Sequence, residues 1–215
     1  MLEALSSVSG EHWIKFATTA LLFFIGLFKL LPYVVDKVAL YHADKQKNRV
    51  EVQQISALRT MARMFDLMDS LTQKHKTLAD RVIIFSGHNG GSMPEAGKPY
   101  FVSAIHSTLS RRDAIGGRPE DAYRLITVDG HYVRLLLETY ENGYVHLRTD
   151  NMPECMLQDF YIEDSVKEAL VFFLKTTGNN FIYASVANTG ALFSESDLRE
   201  IKRVMNLIKT VMRDT

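Results

Sequence analysis

The runs ALVFFLKT (169–176) and FIYASVAN (181–188) flank Thr177-Gly178-Asn179-Asn180. Both are rich in β-branched and aromatic residues, and a short Gly-Asn linker between such runs predicts a β-hairpin. Downstream, residues 196–213 read as a closing helix. Ser194, with Asp197 three positions on, supplies a cap-like start, and Leu198, Ile201, Met205, Ile208 and Met212 share one face. Upstream, YVHLR (144–148) is a further strand, preceded by a helical stretch over 132–142 that Gly143 stops. YFVSAIH (100–106) and RVIIFSG (81–87) are two more strand candidates, the latter broken by the turn residues His88-Asn89-Gly90-Gly91. The polar stretch RRDAIGGRPED (111–121) reads as an exposed loop, locally basic through Arg111, Arg112 and Arg118. Together these elements predict an α+β fold, an antiparallel sheet covered by helices.

The N-terminal third has a different character. Residues 16–28, FATTALLFFIGLF, carry no charge, and the apolar stretch extends over 13–35. That length suffices to cross a bilayer core, which needs ~20 helical residues at ~1.5 Å each. Lys15 and Lys29 lie where a long side chain can snorkel to headgroups, and Pro32-Tyr33 reads as an interfacial border. A cleaved signal peptide would favour a basic start and a small-residue cleavage site, whereas the chain opens MLEALSSVSGEHW. A surface-lying helix would keep one polar face, but Phe23, Phe24, Ile25, Leu27 and Phe28 surround the axis. Lys37, Lys45, Lys47 and Arg49 follow the span and only Lys15 precedes it, so the C-terminal bulk is expected on the cytoplasmic side of the membrane.

Residues 36–79 lack glycine and proline and are rich in helix formers, which predicts a connecting helix. Ile55, Leu58, Met61, Phe65, Met68, Leu71 and Leu78 make one apolar stripe that either pairs with a second chain or packs on the following domain; His75 on that stripe reads as a packed side chain. The expected organisation is a short tail at 1–12, a transmembrane helix at 13–35, the connecting helix at 36–79 and the α+β domain at 80–215.

The chain has 215 residues, with 25 basic against 25 acidic side chains, so no electrostatic case for nucleic acid arises. With 47% hydrophobic and 23% charged residues, general disorder and low-complexity architectures are excluded. The single cysteine, Cys155, rules out an internal disulfide framework and a cysteine-rich zinc module.

A helix leading into RVIIFSGHNGG, a strand at YFVSAIH, the hairpin FFLKTTGNNFIYASV and a closing amphipathic helix resemble a GAF-like sensory domain. The whole is similar to membrane-anchored GAF-like proteins of phages and bacteria. The layout of one span, a connecting helix and a small α/β domain also resembles the T-even phage holin, whose globular domain lies outside the cytoplasm.

No GxSxG, P-loop, HExxH or paired-cysteine signature is present, so the motif-led enzyme classes lack support and no cofactor is expected. The end of the first strand is where the resemblance implies a ligand pocket, with His88 and Asn89 offering donors and acceptors, and Tyr100 and Ser103 of the next strand sharing a pocket face. The plainer reading is that Asn-Gly-Gly supplies a positive-φ turn and His88 is satisfied locally. The scattered histidines make no metal signature. The leading expectation is therefore a single-pass, non-enzymatic regulatory or scaffold protein. Its expected partners are the lipid bilayer, a second copy of the chain through the connecting helix or the domain, and a protein or small-molecule ligand. The alternative is a holin-like permeabilising protein with a globular regulatory domain.

Overall fold

The computed structural model of the chain describes residues 10–73, 78–90, 95, 97–110 and 122–213. His75, Gly91 and the basic loop at 111–121 lie outside the described residues. The chain divides into two units, Met1–Ser56 and Ala57–Thr215.

The first unit is built on α1, a helix that runs over Gly10–Thr72 with Pro32 inside it. It is long and apolar enough to cross a membrane by length and composition. Its apolar side chains face outward all round, Phe16, Phe24 and Phe28 among them. The two threonines in the stretch close on their own helix: Thr18 Oγ1 donates to the Ile14 carbonyl and Thr19 Oγ1 to that of Lys15, both at 2.8 Å. Such back-bonding leaves neither of these two hydroxyls in need of water.

The connecting helix was expected to reach residue 79, and it stops at Thr72. The Leu71 carbonyl, an orphan acceptor of the last turn, takes the N–H groups of both Leu78 (2.9 Å) and Ala79 (3.0 Å). Those two bonds fold the chain back at that point and set the entry to the first strand.

The second unit is an antiparallel six-stranded sheet in the order β3-β2-β1-β6-β5-β4. The strands are β1 (Arg81–His88), β2 (Phe101–Leu109), β3 (Ile126–Thr127), β4 (Tyr144–Arg148), β5 (Glu168–Thr177) and β6 (Asn180–Asn188). Among the described residues it is completed by the α-helices α2 (Gly130–Asn142), α3 (Met156–Glu163) and α4 (Glu195–Arg213). The β5–β6 hairpin closes through Gly178 and Asn179, with Gly178 at φ 57°, a conformation that glycine adopts without a Cβ clash. One face of the sheet, formed by Val82, Ile84, Leu170, Phe172 and Val186, packs against Met64, Met68 and Leu71 of α1 and Ile201, Met205 and Ile208 of α4. The other face lies under α2 and α3 through Tyr132, Leu136, Leu157 and Tyr161.

Local signals define the helix ends. Ser194 and Asp197 form the anticipated box, with Ser194 N–H donating to Asp197 Oδ2 at 3.1 Å and Asp197 N–H to Ser194 Oγ at 3.2 Å. Gly143 ends α2 at φ 80°. At the other end of α2, Asp129 Oδ1 accepts the Tyr132 N–H at 2.7 Å while its Oδ2 accepts the Met156 N–H at 2.8 Å, so one carboxylate serves the starts of two helices.

Candidate functional site

Of the four residues singled out in the sequence, Tyr100 separates from His88 and Ser103. His88 Nε2 lies 3.4 Å from Ser103 Oγ, and its ring stacks on Phe101 with centroids 6.1 Å apart. Ser103 Oγ also accepts the Leu125 N–H at 3.0 Å, and His88 Nδ1 accepts the Gly90 N–H at 3.4 Å. Gly90 takes φ 58°, so the turn uses glycine as the plainer reading anticipated. Asn89 is buried. Tyr100 belongs instead to the cluster under α2 and α3, where its ring covers Gly87; a Cβ at Gly87 would lie 2.5 Å from the Tyr100 hydroxyl. Tyr100 and Ser103 are three positions apart on an alternating strand, which sends them to opposite faces, and the shared pocket face expected for them does not form. Burial pushes the Tyr100 phenol above its ordinary pKa.

A different set of residues converges at the middle of that second face. Tyr123, Tyr132, Tyr161 and Tyr183 surround a chamber of about 20 Å³ together with Arg81 and Ser185. That volume admits about one water molecule. The polar atoms are satisfied in pairs: Tyr132 and Tyr183 meet hydroxyl to hydroxyl at 2.7 Å, and Tyr161 meets Ser185 at 3.2 Å. At the rim, Arg81 Nη1 pairs with Asp164 Oδ2 at 2.8 Å, and the Tyr123 hydroxyl donates to the same oxygen. Burial raises the pKa of Tyr132, Tyr161 and Tyr183, so each stays a neutral phenol near pH 7. Neutral, mutually bonded phenols hold geometry; they supply neither a general base nor a nucleophile.

No family model matches the chain, and no curated protein matches it. The domain resembles solved GAF domains. The GAF domain region of a putative membrane protein from Geobacter sulfurreducens PCA has 14% identity and a TM-score of 0.48, covering 75% of this chain and 98% of that one. GAF3 of Slr1393 from Synechocystis sp. PCC6803 has 11% identity and a TM-score of 0.49, covering 71% and 92%. The GAF domain of a two-component sensor histidine kinase from Bacillus halodurans has 12% identity and a TM-score of 0.44, covering 73% and 92%. At these identities and scores the likeness assigns neither ligand nor activity.

Among the described residues, no group of three or more His, Cys, Asp or Glu side chains is placed to hold a metal ion. Cys155 stands half-buried at the N-cap of α3, a helix that the sequence analysis did not place. The tyrosine chamber was missed as well. The alternation Phe181-Tyr183-Ser185-Ala187 on β6 was its one readable trace, since those positions share the inward face.

Proposed function

We propose that the chain is a single-pass membrane protein whose GAF-like C-terminal domain serves, without catalysing a reaction, as a regulatory or scaffold module on the cytoplasmic side of a bilayer. The observation that carries this reading is the apolar part of α1. From Trp13 to Val35 its large side chains are exposed among the described residues, Phe28 by 73%. An apolar surface of this kind is stable when lipid replaces water. The excess of Lys37, Lys45, Lys47 and Arg49 after the span favours the cytoplasmic side.

The domain's interior supports a non-catalytic role. Its tyrosine hydroxyls are engaged with one another, with Ser185 and with Asp164, and the chamber between sheet and helices is too small for an organic ligand as folded. Regulation through the outer surface therefore fits the folded state better than capture of a ligand inside it. Ile55, Leu58 and Met61 of α1 are exposed at three-residue steps, which supports pairing with a second copy.

The test is extraction and topology together. Alkaline carbonate leaves the protein in the membrane pellet, and a Thr176→Cys probe on the exposed end of the β5–β6 hairpin reacts with an impermeant thiol reagent only after lysis. Full release by carbonate defeats the anchor, and labelling of intact cells defeats the orientation.

A further inference from the structure

β4 pairs with β5 only from Tyr144 to Arg148, opposite Phe172 to Glu168, while β5 runs on to Thr177. Where β4 starts, the sheet therefore has a step. α4 passes over it and presents Lys202, Asn206 and Lys209, spaced by four and three so that they share one face. Helix and strands enclose a groove of about 170 Å³ there, far roomier than the 20 Å³ tyrosine chamber.

The floor of the groove is aromatic. Tyr144 and Phe172 stack with centroids 5.6 Å apart. Lys202 Nζ donates to the Tyr144 hydroxyl at 2.7 Å and stands 4.3 Å from that ring's centroid. Lys209 Nζ lies 5.0 Å from the centroid of Phe173. Among the described residues neither ammonium has a carboxylate partner. Burial, and then the charge of Arg213, lower the pKa of Lys209, so its positive charge is held there at a cost. An anion in the groove relieves that cost.

The walls narrow the choice of anion. A bare phosphate leaves the aromatic floor unused. Asn142 and Gly143 enter it from the C-terminus of α2, whose partial negative charge disfavours a dianion. A flat ring bearing one negative charge meets both conditions.

We propose that this groove binds a small aromatic carboxylic acid, its ring on Tyr144 and Phe172 and its carboxylate taken by Lys202 and Lys209 with the Asn206 amide. The assignment gives the regulatory reading a ligand and rests on that reading only for the use made of binding. Anchoring is read by extraction and binding by titration, so either fails without the other.

Benzoate titrated into the purified full-length chain, followed by calorimetry and saturation-transfer NMR, binds saturably with a Kd at or below about 1 mM. Benzyl alcohol, the uncharged counterpart, binds at least about ten-fold more weakly, and inorganic phosphate gives no comparable signal. Lys202→Met and Lys209→Met each weaken benzoate at least about ten-fold. Asn206→Glu, at an exposed helical position, places a carboxylate against both lysines and abolishes binding while the thermal transition is kept. Absence of benzoate binding, binding indifferent to Asn206→Glu, or phosphate binding as tightly as benzoate overturns the assignment.

Discussion

The Tyr132 and Tyr183 hydroxyls, 51 positions apart in sequence, meet at 2.7 Å inside the domain and each is the other's partner. One donates and the other accepts, so removing either oxygen strands its neighbour in an apolar setting. Tyr132→Phe or Tyr183→Phe alone is expected to cost about 1–3 kcal/mol, whereas the double variant stays close to wild type. Urea denaturation of the three variants completes the cycle. Additive single effects would show that the two oxygens are not coupled.

Glu168 is fully buried and accepts from three directions. His146 Nε2 approaches at 2.7 Å, Arg148 Nε at 3.4 Å, and the Phe193 N–H, two residues before α4, donates to the second oxygen. Glu168→Ala strands the buried Phe193 N–H and takes the acceptor from the part-exposed His146 and Arg148, and a loss of about 1–3 kcal/mol is expected. Glu168→Gln keeps an oxygen for the Phe193 N–H and should lose less. A smaller effect for alanine than for glutamine, measured by denaturant midpoint, contradicts this account.

Burial pushes the Asp80 carboxyl upward in pKa, yet hydrogen bonds from the Thr189 N–H and Oγ1, the Gly190 N–H and the Ser110 hydroxyl outweigh it, and the net shift is downward. A carboxyl whose folded-state pKa is depressed stabilises the fold above its unfolded pKa, and that contribution fades as pH falls through the folded value. Stability should therefore decline below about pH 4 in the native chain. Asp80→Asn is expected to be less stable at neutral pH and to show a shallower acid limb. Parallel pH profiles for the two proteins would remove Asp80 from the acid response.

Leu58 is 65% exposed on α1, with Ile55 and Met61 exposed beside it. If α1 pairs with a second copy, Leu58→Cys oxidises to a disulfide-linked dimer in membranes, whereas cysteine at Arg59, one position round the helix, does so far less. Equal crosslinking at the two positions, or none at either, argues against a helical seam.

How much could be read from the sequence follows from the range of the interactions involved. The β5–β6 hairpin, the Ser194–Asp197 box and the Gly143 stop depend on neighbours within a few residues, and all three appear as written. β3, two residues long, exists because Phe101 and Val102 of β2 pair with it, a long-range cause invisible in Ile126 and Thr127 themselves. The end of α1 at Thr72 depends on the Leu71 carbonyl capturing Leu78 and Ala79, against a composition that favours continued helix. The tyrosine chamber draws Tyr123 from a loop, Tyr132 and Tyr161 from two helices, Arg81 from β1 and Tyr183 and Ser185 from β6, so no window of sequence contains it. The separation of Tyr100 from Ser103 was readable, because an odd spacing on a strand always means opposite faces.

The outer strands have a consequence for how crowded the molecule can become. β3 has two residues and β4 five, and β2 beyond β3 is interrupted where Ile105 bulges out between the pairs Ile84–His106 and Phe85–Ala104. Among the described residues little continuous backbone is left to template the strand of another molecule, and the part-exposed side chains of His146 and Arg148 flank the β4 margin. Pairing of the described sheet edges between two copies is therefore disfavoured, and a contact between copies would run through side chains rather than through a shared ladder.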